Sequence, residues 1–157
     1  EASTIAELIA SAFDDAPHTS HTEHFIVNAL RRAGQLTISL VAVCDRVISG
    51  HVAISPVGIS DGTAGWYGLG PVSVAPRCQG KGIGSLLVQH ALAHLRQLDA
   101  GGCVVLGEPG YYGHFGFKTE SALILPDVPP EYFQAIALQG AVPSGIATYH
   151  KAFEATE

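Results

Sequence analysis

Between Val72 and Leu106 the chain reads as strand, glycine-rich turn, long amphipathic helix and strand. Val72-Ser73-Val74 closes an extended run that Pro76 ends. Gln79-Gly80-Lys81-Gly82-Ile83-Gly84 follows, with three glycines in five positions. Ile83, Leu87, Ala91, Leu95 and Leu98 then recur on one helical face, with Leu86 beside them, until Gly101-Gly102 stops the helix. Cys103 to Leu106 is wholly apolar, as expected of a strand buried on both faces. Such a unit implies one parallel strand pair with a right-handed crossover.

The flanks supply the rest of the architecture. Ile5, Leu8, Ile9 and Phe13 have helical spacing over Thr4–Phe13, and Thr4 with Glu7 has the pattern of a capping box. A second helix is expected over Thr22–Arg32, with Ser20 and Glu23 as a further capping signal and Gly34 as its stop. Leu36–Cys44 and Val47–Ile54 read as a hairpin around Asp45-Arg46, and Pro56 suggests an edge or a break near the second strand's end. Trp66–Val74 is extended but interrupted at Gly70-Pro71. One helical turn is expected around Tyr111-Tyr112. Extended segments are expected over Lys118–Leu125 and Tyr132–Leu138, with a last strand over Ile146–Phe153. The expected fold class is α/β: a mixed central sheet flanked by helices.

A length of 157 residues suits one domain over 1–157. A chain this long buries roughly 70% of its unfolded surface, so it needs no metal or disulfide to fold. Apolar residues at 47% and charged residues at 14% exclude disorder and a coiled coil. No uncharged apolar stretch reaches the roughly 18 residues of a membrane span, so no membrane partner is expected. The net charge of −6 and the lack of a basic run argue against a nucleic-acid partner. No signal peptide opens the chain, and the expected compartment is the cytoplasm.

Cys44, Cys78 and Cys103 are odd in number and widely spaced, which suits neither a disulfide framework nor a metal motif. Cys44 and Cys103 read as buried hydrophobes. Cys78, beside Arg77 and Lys81, is weighed as a reactive thiol against a bystander. His18, His21 and His24 lie three apart and invite a metal reading. A solvated loop with a helix cap is the preferred reading of them, and no metal is expected.

A glycine turn opening a helix is an anion site in outline. The helix N-terminus carries unpaired N–H groups and partial positive charge, and glycine lets a ligand approach the backbone. Arg77 and Lys81 add local positive charge. A Walker A loop requires Ser or Thr after the lysine, but Gly82 follows Lys81. A dinucleotide fingerprint requires a third glycine where Ser85 stands, and Glu108 lies 28 positions after Gly80 instead of about 20. A turn with no ligand is the bland alternative.

A third ligand, acyl-CoA, enters through a resemblance. Gln79-Gly80-Lys81-Gly82-Ile83-Gly84 resembles the Gln/Arg-x-x-Gly-x-Gly/Ala signature of the GNAT acetyltransferase superfamily. Tyr112-Gly113-His114-Phe115-Gly116-Phe117 is similar to that family's Tyr-x-x-x-Gly-Phe element, one helix and one strand later. Gly50 to Val57, Gly107-Glu108-Pro109 and Tyr149-His150 are similar to its YhbS-like bacterial branch. The family usually opens with a strand before its first helix. Glu1 to Ser3 leaves no room for one, so an N-terminal edge strand is expected to be missing here.

The resemblance implies a GNAT-like fold and an N-acetyltransferase using acetyl-CoA as co-substrate. It implies direct attack by a primary amine, borne by a small molecule or a peptide. Val72 and Val74 would offer backbone groups to the pantetheine arm. The amides of Gln79, Gly80, Lys81, Gly82, Ile83, Gly84 and Ser85 would hold the diphosphate. Tyr112 occupies the family's general-acid position, with Tyr111 as fallback. Glu108 is a candidate base, and His51 and His114 are others. Trp66-Tyr67 is weighed between lining the acceptor side and core packing. A non-catalytic acyl-CoA-binding regulatory module is the alternative. The acceptor's identity is not legible, and the oligomeric state, a homodimer included, stays open.

Overall fold

The computed structural model describes residues 2–13 and 23–155. His18, His21 and the capping Ser20 lie outside the described residues. Helix α1 spans Ala2–Phe13 and α2 spans Glu23–Arg32. Ile5, Leu8 and Ile9 of α1 are buried, as are Ile26, Val27 and Leu30 of α2. This is the apolar stripe expected of a helix lying on a core.

Strands β1 (Ile38–Cys44) and β2 (Val47–Ile59) form the expected antiparallel hairpin. Asp45 and Arg46 at its tip have φ of 51° and 65°, the left-handed pair that matches strand twist in a two-residue turn. β3 (Trp66–Val74) is antiparallel to β2, α3 spans Ile83–Gln97, and β4 (Gly102–Leu106) runs parallel to β3. A short α4 covers Pro109–Tyr112. β5 (Leu123–Ile124), β6 (Phe133–Ala137) and β7 (Gly145–Tyr149) complete a sheet ordered β5-β7-β2-β3-β4-β6, with β1 on β2.

Pro56 does not end the second strand. β2 continues to Ile59, because β3 stays paired with it through Pro56↔Tyr67 on one edge while, on the other, β1 stops at Ile54 and β7 begins at Val57. Pro56 falls in the gap between these two partners, where a missing N–H costs no ladder bond. The last strand is shorter than expected. It ends at Tyr149, and a 3₁₀ turn over Lys151–Glu154 follows. Of the extended segment expected over Lys118–Leu125, only Leu123–Ile124 forms a strand, with a single bridge from Lys118 to Ala135.

Helix α3 lies on one sheet face over Val52, Ile54, Leu69, Cys103 and Val105. Val88 and Leu92 are buried with the expected stripe, whereas Leu86 and Leu98 are exposed. A side chain at Gly50 would meet Leu87 at 2.9 Å and Ile83 at 3.0 Å, so glycine there lets helix and sheet close up. Helix α1 contributes Ile5 and Ile9 to a core with Val27 and Ala53 on the opposite face. Trp66, Val104, Phe133 and Ala147 form a second core on that side.

Candidate active site

The site is built where β3 and β4 part. Their register runs from Trp66↔Gly102 to Leu69↔Val105 and goes no further. β3 continues beside β2 to Val74, paired there with Gly50, after an irregularity at Gly70-Pro71 where it carries one extra residue. Such a bulge bends a strand and turns it away from a neighbour. Backbone groups of Val72 to Val74 on the β4 side therefore have no strand partner among the described residues. Val72 and Val74 are half-buried and pack toward the α3 face.

The glycine turn begins at the end of this free edge. A 3₁₀ turn covers Pro76–Cys78. The Gln79 side-chain amide donates to the Val74 carbonyl at 2.9 Å, tying the turn back to its strand. Gly80 and Gly82 have φ of 80° and 82°, and a side chain at either would point into open space. The turn thus presents bare main chain outward. Gly82 is the N-cap of α3 and carries no capping side chain. The first helical bond runs from the Leu86 N–H to the Gly82 carbonyl, which leaves the N–H groups of the first turn for a ligand. Ile83 is buried, so it offers only its main chain, and Lys81 is exposed at the turn's tip. Arg77 points elsewhere: its Nη2 donates to the Ser49 hydroxyl at 3.1 Å, so the charge expected at the turn is engaged on β2.

Across the wedge, α4 carries the two tyrosines. Tyr112 is half-buried, edge-on to Tyr111 at 4.9 Å and to Phe117 at 5.9 Å between centroids. Its ring lies on Gly107, where any side chain would overlap it. Desolvation pushes the Tyr112 hydroxyl up to about 12, with Tyr111 and Cys103 adding to the effect. A neutral phenol is thereby fixed at neutral pH. Tyr111 faces out, and its hydroxyl lies 3.0 Å from the Ser85 hydroxyl on α3.

Glu108 is exposed at the exit of β4, N-capping α4 with its backbone carbonyl accepting from Tyr112 N–H at 3.0 Å. Of the alternative bases, His114 is exposed on the 3₁₀ turn after α4, and His51 is fully buried in β2. His51 Nε2 pairs with the Ser39 hydroxyl at 2.7 Å, while its Nδ1 and the Ser73 and Ser55 hydroxyls have no hydrogen-bond partner among the described residues. Desolvation, with Arg31 second, lowers His51 to about 4. With its ring sealed inside the sheet and Nε2 engaged by Ser39, His51 has no surface open to an incoming amine.

Cys78 is buried rather than reactive at the surface, as is Cys103, whose thiol burial pushes up. Trp66 is core, 2% exposed, and Tyr67 packs under α3. Among the described residues no group of three or more His, Cys, Asp or Glu is placed to hold a metal ion. None of the described helices is long and apolar enough to cross a membrane. Neither the Tyr111–Ser85 contact nor the role of Gly107 follows from local sequence, since both depend on α4 meeting α3 and β4.

Residues 3–117 match the Acetyltransferase (GNAT) family. The chain is 32% identical over 148 residues to the N-acetyltransferase YhbS of Escherichia coli K12, covering 85% of this chain and 84% of that protein. Among solved structures it is similar to a GNAT family acetyltransferase from Brucella melitensis in complex with acetyl-CoA. The two share 45% identity with a TM-score of 0.86, over 97% of this chain and 91% of that one. It is also similar to E. coli YhbS in complex with CoA, at 31% identity and a TM-score of 0.87, over 98% and 86% of the two chains. The match over residues 3–117 and the 32% identity to YhbS show that the chain belongs to the GNAT acetyltransferase family.

Proposed function

We propose that the 157 residues act as one N-acetyltransferase domain, moving the acetyl group of acetyl-CoA onto a primary amine by direct attack. The observation that carries this reading is the free edge of β3 beyond Leu69, which leads straight into the turn whose Gly80 and Gly82 face open space. The free edge suits a pantetheine arm, and the first turn of α3 suits a diphosphate. Relatives of this chain have been solved with acetyl-CoA and with CoA.

The amine nitrogen attacks the thioester carbonyl carbon, a C–N bond forms, and the carbonyl oxygen becomes an oxyanion. A backbone N–H of the free β3 edge polarises that oxygen, which lowers the barrier as its charge grows. The C–S bond then breaks, and the Tyr112 hydroxyl gives its proton to the departing thiolate. Glu108, directly or through water, takes the proton that the amine loses. The acceptor is a small-molecule or peptide amine. The negative net charge guides cations toward the protein without choosing among them.

The test is thiol release from acetyl-CoA across a panel of primary amines, with the acetylated product identified by mass. Turnover on at least one amine is expected. Tight CoA binding with no turnover on any amine overturns the enzyme reading in favour of a binding module.

A further inference from the structure

We infer that Tyr111 is a positioning residue for the co-substrate, clasping Ser85 so that a free hydroxyl is held over the first turn of α3, beside the end of β3. This rests on the acetyl-CoA reading above and adds a role for the tyrosine outside the family signature. The two hydroxyl oxygens are 3.0 Å apart. Tyr111 Oη also lies 3.5 Å from the Cβ direction of Gly84, and Val74 Cγ2 lies 3.6 Å from the same point. Helix α4 through Tyr111 and the last residue of β3 through Val74 therefore both reach Gly84 in the first turn of α3.

Three features mark the pair as a grip on a ligand. First, it contributes little to folding, because Tyr111 is 40% exposed and a hydrogen bond open to water adds little net stability. Second, two hydroxyls bonded to each other spend one hydrogen and leave the other O–H free. That donor stands next to the unpaired N–H groups of the helix start and adds to the same anion-binding set. A bound diphosphate would exclude water from the pair and turn the spare donor into a charge-assisted bond. Third, the phenol is held from behind, since its ring lies edge-on to Tyr112 at 4.9 Å and to Phe115 at 5.4 Å. Successive residues on a helix point about 100° apart. Tyr112 is thereby turned inward to Phe117, and Tyr111 outward to α3.

The experiment is calorimetric CoA binding together with steady-state kinetics on Tyr111→Phe, Ser85→Ala, the double variant and Ser85→Thr. Phenylalanine keeps the ring contacts, and a thermal melt checks that each variant is folded. Tyr111→Phe and Ser85→Ala are each expected to weaken CoA binding and raise the KM for acetyl-CoA by about 5- to 30-fold, with kcat at saturation held within about twofold. The double variant is expected to be no worse than the weaker single one, because the two residues act as one unit. Ser85→Thr, which keeps the hydroxyl, is expected to restore affinity. An affinity unchanged by Tyr111→Phe overturns the inference, as do fully additive losses. A fall in kcat at unchanged affinity also overturns it, by making Tyr111 the acid. Intact wild-type chain that takes up no CoA overturns the acetyl-CoA reading itself.

Discussion

The Gln79 amide nitrogen donates to the Val74 carbonyl at 2.9 Å, so the glycine turn is fastened to the strand it has just left. The bond is exposed, and its value lies in fixing where the bare main chain at Gly80 and Gly82 points. Gln79→Ala is expected to raise the KM for acetyl-CoA by about 2- to 10-fold, the range of one ordinary hydrogen bond, with a smaller effect on kcat. Gln79→Glu puts an acceptor against an acceptor and is expected to be worse. Equal KM values for wild type and both variants, from initial rates, would remove the turn's anchor from the account.

Gly82 and Gly34 make a matched pair. Both have positive φ, at 82° and 70°, and a Cβ at either meets nothing within 4 Å. Each alanine substitution is therefore expected to destabilise the fold by about 1–2 kcal/mol through backbone strain alone. Only Gly82 stands at the start of α3; Gly34 follows α2. Gly82→Ala is expected to weaken CoA binding as well, because its methyl group occupies the outward face of the turn. Gly34→Ala is expected to leave CoA affinity unchanged. Urea midpoints and CoA titrations on both variants check this, and parallel affinity losses would mean that strain rather than ligand contact is responsible.

Tyr112 is desolvated, and its hydroxyl is raised to about 12 from an ordinary 10. An acid stays competent below its own pKa, so its protonated form persists through the whole alkaline range in which amines become reactive. The rate at saturating substrates is expected to hold level from pH 8 to about 10.5, with no descending limb near the ordinary tyrosine value. Tyr112→Phe is expected to lower kcat by about 10²-fold or more while CoA affinity stays. A descending limb near pH 9 that survives in Tyr112→Phe would hand the acid role to another group.

The strand–turn–helix–strand core was legible because it is local. Its apolar periods, its glycines and its prolines all lie within 35 residues of sequence, Val72 to Leu106. What stayed hidden is non-local. β7 returns to pair with β2 across Val57↔Tyr149, and with β3 pairing Pro56 to Tyr67 on the other edge, the strand runs on through the proline. The polar face of β2 was equally invisible. Ser49, His51 and Ser55 alternate with glycine and apolar residues as a half-exposed strand would, yet all three are fully buried. Within the site, the glycines of the turn announced themselves. Arg77 turning to Ser49 and Tyr111 turning to Ser85 depended on which elements meet.

His51 makes that buried face sensitive to acid. Burial, with Arg31 as the second cause, lowers its pKa to about 4 from 6.5. An unfolded chain takes up a proton near pH 6.5, and the folded one does not until about 4. Between these values the unfolded state binds more protons, so stability falls as pH falls across the window, by about 3 kcal/mol in all. His51→Gln is expected to be less stable than wild type at pH 7, with a flatter slope between pH 6.5 and 4. Urea midpoints across that range decide it, and an unchanged slope in the variant would place the acid sensitivity elsewhere.

Glu108 can be separated from the other groups by the amine's own chemistry. It is exposed at the end of β4, two residues past Leu106, and the proton it would remove belongs to an alkylammonium. At neutral pH the amine arrives protonated and a base is needed; above its pKa the free amine arrives ready to attack. Glu108→Gln is therefore expected to lower kcat/KM for the amine by about 10²-fold at pH 7, with the deficit shrinking toward wild type as pH approaches 10. The KM for acetyl-CoA is expected to be unaffected. A loss of equal size at pH 7 and pH 10 would make Glu108 a residue that places the acceptor instead of one that takes its proton.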